Sequence, residues 1–180
     1  HAPFLAAGHR STMEAGRVSI ETERGETLEE RDDPRASFAG HSLDTPWDRL
    51  QLAYFTGYAM WTYLTAPFCF ATDGFAASET AAREEDGETW RGLRVRFPAW
   101  IATHSREQTF YYDRHGLLCR HDYDVDVAGG SRAAHYVDLY REFDGVLVPT
   151  RRRVFVRDEL GQWAPEPLVV SIDLGAVRFS

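Results

Sequence analysis

The sequence predicts a mainly β protein of the α+β class, an antiparallel meander with one buried helix. Three observations lead there. From residue 79 onward apolar and polar residues alternate with a period of two, the mark of half-buried strands. The runs are separated by tight-turn pairs, Asp86-Gly87, Gly129-Gly130 and Asp144-Gly145 among them. The longest uncharged stretch, Leu50 to Thr72, is broken by Pro67 and suits one helix.

Each element follows in order. Arg17 to Thr22 and Glu26 to Arg31 read as a hairpin around Gly25. A helix is expected over 46–65, with Thr45 as N-cap and Pro46 at its first position, ending before Pro67. Trp47, Leu50, Tyr54, Tyr58, Trp61 and Thr65 recur at helical spacing, while Leu52, Phe55 and Ala59 cover the other side. A helix apolar all round is a buried one. A bilayer span is rejected, because the stretch carries Gln51, Thr56, Gly57 and Thr62 as well as the proline. Strands follow at 79–85, 88–97, 104–112, 117–127, 133–143, 146–157 and 167–174, and such short links force antiparallel pairing.

The chain has 180 residues, the length of a single domain. All 20 of its Lys-plus-Arg residues are arginine, and asparagine is absent too. A Schiff-base lysine, a GxxxxGK[ST] phosphate loop and a glycosylation acceptor are therefore excluded. The net charge of -8 argues against a nucleic-acid partner. Cys69 and Cys119 are too few for a disulfide framework, and they leave the compartment and their own redox state open. The cytoplasm is favoured unless upstream sequence supplies a signal peptide, which would make the protein periplasmic; residue 1 is His, so the chain has been trimmed or processed.

Phe110 to Tyr123, FYYDRHGLLCRHDY, and Arg141 to Val154, REFDGVLVPTRRRV, resemble the bacterial lipoprotein-carrier superfamily typified by LolA and LppX. That resemblance covers roughly the C-terminal half of the chain. It implies an antiparallel half-barrel that curls around the helix and holds acyl chains in its concave face. The segments TPWDRLQLAYFTGYAMWTYL, THSREQTFYYD and PTRRRV are similar to an uncharacterised family of bacterial proteins that brings no activity with it. Members of that family begin further upstream, so the resemblance implies a single half-barrel domain over 1–180 without its N-terminal strands.

Alternation assigns the faces. In strand 117–127 the odd positions Leu117, Cys119, His121, Tyr123, Val125 and Val127 point inward, and Arg120, Asp122, Asp124 and Asp126 point to solvent. Closing the turn at Asp113 to Gly116 sets Phe110 opposite Cys119, Gln108 opposite His121, Arg106 opposite Tyr123 and His104 opposite Val125. The next strands add Arg141, Leu139, Val137 and His135, then Val148, Thr150, Arg152 and Val154. One end of this face is apolar, and the other collects His104, Arg106, Tyr123, His135 and Arg152.

Two readings of those inner cations stand. In one, Arg106 stacks on Tyr123, while Arg141 and Arg152 pair with carboxylates as ordinary structure. In the other, the face is an amphipathic cavity lined by His104, Arg106, Gln108, His121, Tyr123, His135, Arg141, Arg152, Tyr54, Tyr58 and Trp61. It would hold a hydrophobic or amphiphilic small molecule, with a carboxylate or phosphate among the arginines. No cofactor is expected. The alternative function is a small hydrolase or isomerase with His121, beside Gln108, as its acid or base. A partner-binding sheet with an exposed edge is the third class. Neither metal reading is favoured: Asp122, Asp124 and Asp126 lack the calcium-loop glycine, and the assumed register keeps His121 roughly 10 Å or more from His104 and His135.

Overall fold

A computed structural model describes residues 5–179. Among these residues, ten strands in two antiparallel sheets and a single α-helix make the protein mainly β. The chain forms two compact units. The first holds residues up to Ala66 together with Ala102–His104 and Asp126–Gly130; the second holds Pro67–Ile101, Ser105–Val125 and the residues from Ser131 onward.

In the first unit the expected hairpin is present as β2 (Arg17–Thr22) and β3 (Thr27–Asp32), with Arg17 opposite Asp32. A further strand, β1 (His9–Glu14), pairs with β2. Its sequence, HRSTME, is too polar to announce a strand. Helix α1 (Arg49–Thr65) packs on β1 and β2. Val18 and Ile20 of β2 are fully buried, each worth about 1.5–3 kcal/mol on the transfer scale. Gly57 lets β1 approach, since a Cβ there would stand 3.1 Å from both Cβ and Sδ of Met13.

The helix starts later than Thr45. Asp48 is the N-cap: its carboxylate accepts from the Gln51 amide at 2.8 Å, and the Gln51 side chain accepts from the Asp48 amide at 2.9 Å. Thr45 instead uses its hydroxyl to accept from the Ser42 amide at 3.0 Å. Ala66, extended before Pro67, ends the helix as expected.

The second unit is a seven-stranded meander in strict sequence order: β4 (Ala76–Glu85), β5 (Glu88–Arg96), β6 (Glu107–Tyr112), β7 (Leu118–Val125), β8 (Ser131–Phe143), β9 (Val146–Arg157) and β10 (Trp163–Asp173). The sheet is open, with β4 and β10 as its edges, as a half-barrel requires. At the turn pairs Asp86-Gly87 and Asp144-Gly145 both residues have positive φ, the left-handed conformation that two-residue hairpins need.

Registers match expectation only where the turn is of that kind. Around Asp144-Gly145 the β8–β9 ladder is as predicted, with Val137 opposite Arg152 and Phe143 opposite Val146. The β6–β7 ladder is displaced by two residues, setting Phe110 opposite His121 rather than Cys119, with an irregularity between Tyr111 and Tyr112. The β7–β8 ladder is displaced by four, so His121 faces His135 instead of Leu139. A short 3₁₀ turn at Asp126–Ala128 removes those residues from the strand, and β8 begins with Ser131 opposite Val125. Both displacements are even, so each side chain keeps its face.

Candidate functional site

One face of the seven-stranded sheet brings together Gln108, Phe110, His121, Tyr123, His135, Val137, Arg152 and Val154, none more than 5 % exposed. Phe110 stacks on the His121 ring at 4.0 Å between centroids. Tyr123 lies 4.6 Å from His121, and His135 lies 5.8 Å from it. Gln108 donates through Nε2 to the Ser105 carbonyl at 2.9 Å, which turns its Oε1 toward His121 Nε2 at 2.7 Å. An amide oxygen only accepts, so His121 is held with the proton on Nε2.

Six members of the expected cavity lie elsewhere, two of them in or beside the sheet strands and four in the first unit. Arg106 is exposed, because β6 begins only at Glu107 and the two-residue displacement moves Tyr123 away from it. Arg141 is exposed as well, its guanidinium 5.4 Å from the centre of the Phe143 ring. The β7–β8 ladder ends at Arg120 opposite Tyr136, and beyond it the backbone pairs of β8 run to β9. Leu139, expected inside, has φ 52° and is exposed.

His104 was expected at the start of a strand opposite Val125 but precedes β6 and belongs to the first unit. There it is sealed among rings, with Tyr58 at 5.1 Å, Phe55 at 5.4 Å and the Tyr63 hydroxyl 3.1 Å from its Nε2. Burial, reinforced by the Arg35 charge, lowers its pKa to about 3, so it is neutral. Arg35 donates to the Thr103 carbonyl at 3.0 Å and pairs with Asp126 at 2.8 Å, which anchors the short segments on either side of His104 and Asp126. Tyr54 and Tyr58 are buried in the same cluster, 5.2 Å apart. Trp61 corrects the all-round burial expected of the helix: it is 37 % exposed, and Leu64 is exposed with it.

The distance argument against neighbouring histidines also fails, since His121 and His135 are directly opposed. Among the described residues no group of three or more His, Cys, Asp or Glu could hold a metal ion. Burial pushes the Cys119 thiol up to about 11, leaving it a poor nucleophile.

The other face of β7, expected in solvent, is buried too. Arg120 is 0 % exposed and donates to Asp122 at 2.6 and 3.0 Å, Glu85 at 3.0 Å, the Tyr136 hydroxyl at 2.6 Å and the Gly161 carbonyl at 2.8 Å. Arg83 also pairs with Glu85, and the Tyr136 hydroxyl donates to that carboxylate. Arg157 pairs with Asp124 at 2.8 Å and donates to the Ala133 carbonyl at 3.1 Å. The available signal was the pair Arg120 and Asp122, opposite charges two apart on one strand face. Hydropathy alternation treats such a pair as two exposed residues.

No protein-family model, curated protein or solved structure matches this chain. What the two faces can do is therefore argued from their chemistry. No helix among the described residues is long and apolar enough to cross a membrane.

Proposed function

We propose that this is a binding or carrier protein for an amphiphilic, anionic, lipid-like molecule held on the His121 face of the seven-stranded sheet. The observation that carries the reading is the make-up of that face. One permanent cation, Arg152 at 1 % exposure, and two imidazoles lie among Phe110, Tyr123, Val137 and Val154. A guanidinium keeps its charge at physiological pH and offers a fork of donors suited to carboxylate or phosphate. The rings and branched side chains around it suit a hydrocarbon tail. The resemblance to the LolA and LppX superfamily supports the same ligand class. Entry then lifts the Phe68–Ala71 turn, whose Phe70 ring covers Phe110 at 4.8 Å. The catalytic alternative is weaker, because the Nε2 of His121 is already held by Gln108.

Delipidated protein titrated with a fluorescent undecanoic acid should bind it saturably. Arg152→Met keeps the apolar stem and removes the charge, so affinity for the acid should fall about tenfold or more, while the matching alcohol is nearly unaffected. Equal loss for acid and alcohol, or no saturable binding by the parent protein, overturns the reading. Native mass spectrometry of protein from its own host tests it without mutation. An absence of co-purifying amphiphile, combined with ester or lactone turnover that His121→Ala abolishes, would replace it with the enzyme reading.

A further inference from the structure

The opposite face of the same sheet carries a feature the lipid reading does not use. Two adjoining clefts open there, of about 430 and 520 Å³. The first is bounded by Arg94, Thr109, Asp122 and Arg157, the second reaches Trp163, and both share Arg83 and Tyr111 as a common wall. Each volume falls in the range of small-molecule pockets, and the pair suits a ligand of more than one ring.

We propose that these clefts bind a neutral polyhydroxylated ligand, a short oligosaccharide. The first reason is charge. Apart from Arg94 at the rim, the arginines in and beneath the clefts are matched by carboxylates: Arg120 with Asp122 and Glu85, Arg83 with Glu85, and Arg157 with Asp124. An anion or a cation entering here meets its own sign beside its counter-charge. A hydroxyl suits both at once, since it donates to a carboxylate oxygen and accepts from a guanidinium.

The second reason is rigidity. The Gly161 carbonyl accepts from Arg83 at 3.1 Å and from Arg120 at 2.8 Å, clamping the turn between β9 and β10 as a fixed wall. A weakly bound polar ligand gains most from groups that need no ordering. Burial, helped by the Asp122 charge, raises the Tyr111 pKa, so its hydroxyl remains available as a donor.

The third reason is an aromatic platform. Trp163 is 39 % exposed, yet its ring is backed by Phe155 at 4.7 Å and Tyr136 at 5.4 Å. A sugar ring presents a face of C–H groups, which stacks on the electron-rich face of an indole. Arg94, exposed at the rim of the first cleft and without an ion pair among the described residues, is placed to donate to further hydroxyls.

The test titrates the full chain with cello-, malto-, xylo- and chito-hexaose by calorimetry. At least one should bind saturably in the micromolar to millimolar range, with little dependence on salt. Trp163→Ala and Arg94→Ala change exposed side chains, so both variants should keep the parent circular dichroism spectrum and weaken binding about tenfold or more. Arg152→Met should leave this binding unchanged, which separates it from the lipid site. The proposal is overturned if none of the four sugars binds, if neither substitution weakens the one that does, or if the clefts instead take inositol hexakisphosphate in a strongly salt-dependent manner.

Discussion

The two faces of strand β7 bury polar groups by different means. On one, the His121 and Tyr123 rings lie stacked among aromatic neighbours, and His121 is held by the Gln108 amide. On the other, Arg120 and Asp122 are charges whose burial rests on one another and on Glu85 and Tyr136. Removing Gln108 on the first face costs His121 a hydrogen bond. An ionic face is left with an uncompensated charge, which is far more costly.

That difference gives the largest expected effect. Arg120→Met strands Asp122 and Glu85 in a buried site and should cost about 3–5 kcal/mol, a large share of a typical domain's stability. Gln108→Leu, which leaves the His121 N–H without its acceptor and the Ser105 carbonyl without its donor but strands no charge, should cost about 1–3 kcal/mol. Urea unfolding of the two variants measures both. Equal losses would mean that the ion pairs are no more interdependent than the neutral ones. Adding Asp122→Leu to Arg120→Met should recover part of the loss, because replacing a buried pair outright is less harmful than halving it.

Acid sharpens the contrast between neutral and ionic burial at a second place. His104 in its ring cage has its pKa lowered to about 3, against about 6.5 when unfolded. The unfolded chain takes up a proton that the folded one refuses, so stability should decline as pH falls below about 6.5, by up to about 1.4 kcal/mol per pH unit. Burial alone would raise the Glu85 pKa, but the Tyr136 hydroxyl, Arg83 and Arg120 outweigh it and hold it below the usual 4.5. Its contribution is present above that value and lost only as pH falls further through the folded pKa. Denaturation between pH 7 and 5 should therefore report His104, and His104→Phe should flatten that part of the curve. A slope that survives the substitution would assign it to other groups.

Legibility in the sequence followed the same division. The β8–β9 register was readable because Asp144-Gly145 dictates a two-residue turn, and every later pair follows from it. The β7–β8 register was not, because the 3₁₀ turn Asp126–Ala128 and the two glycines after it leave the strand and no hydropathy pattern counts them. Even displacements preserved the face assignment, so Gln108, His121, Tyr123, His135 and Arg152 were placed together, while the strand-end residues Arg106 and Arg141 were lost. The Arg120 face was invisible because its partners, Glu85, Tyr136 and Gly161, come from distant strands and a turn. Strand β1 was missed because its side chains are mostly polar.

The smallest expected effect comes from carrying the comparison to the helix, where hydropathy and burial part company in the opposite direction. Trp61 and Tyr58 are both aromatic and both belong to the apolar spacing of α1, yet Tyr58 is fully buried and Trp61 is 37 % exposed. Tyr58 packs against Tyr54, Phe55 and His104, and truncating a ring so enclosed should cost about 3–5 kcal/mol. Trp61→Glu loses a part-exposed indole and places a negative charge near the C-terminal end of the helix, a dipole effect of about 0.3–1 kcal/mol. The total should be about 1 kcal/mol, read as a small fall in the melting temperature with the helical signal retained. A Trp61→Glu variant as unstable as Tyr58→Ala would mean that α1 is enclosed on every side.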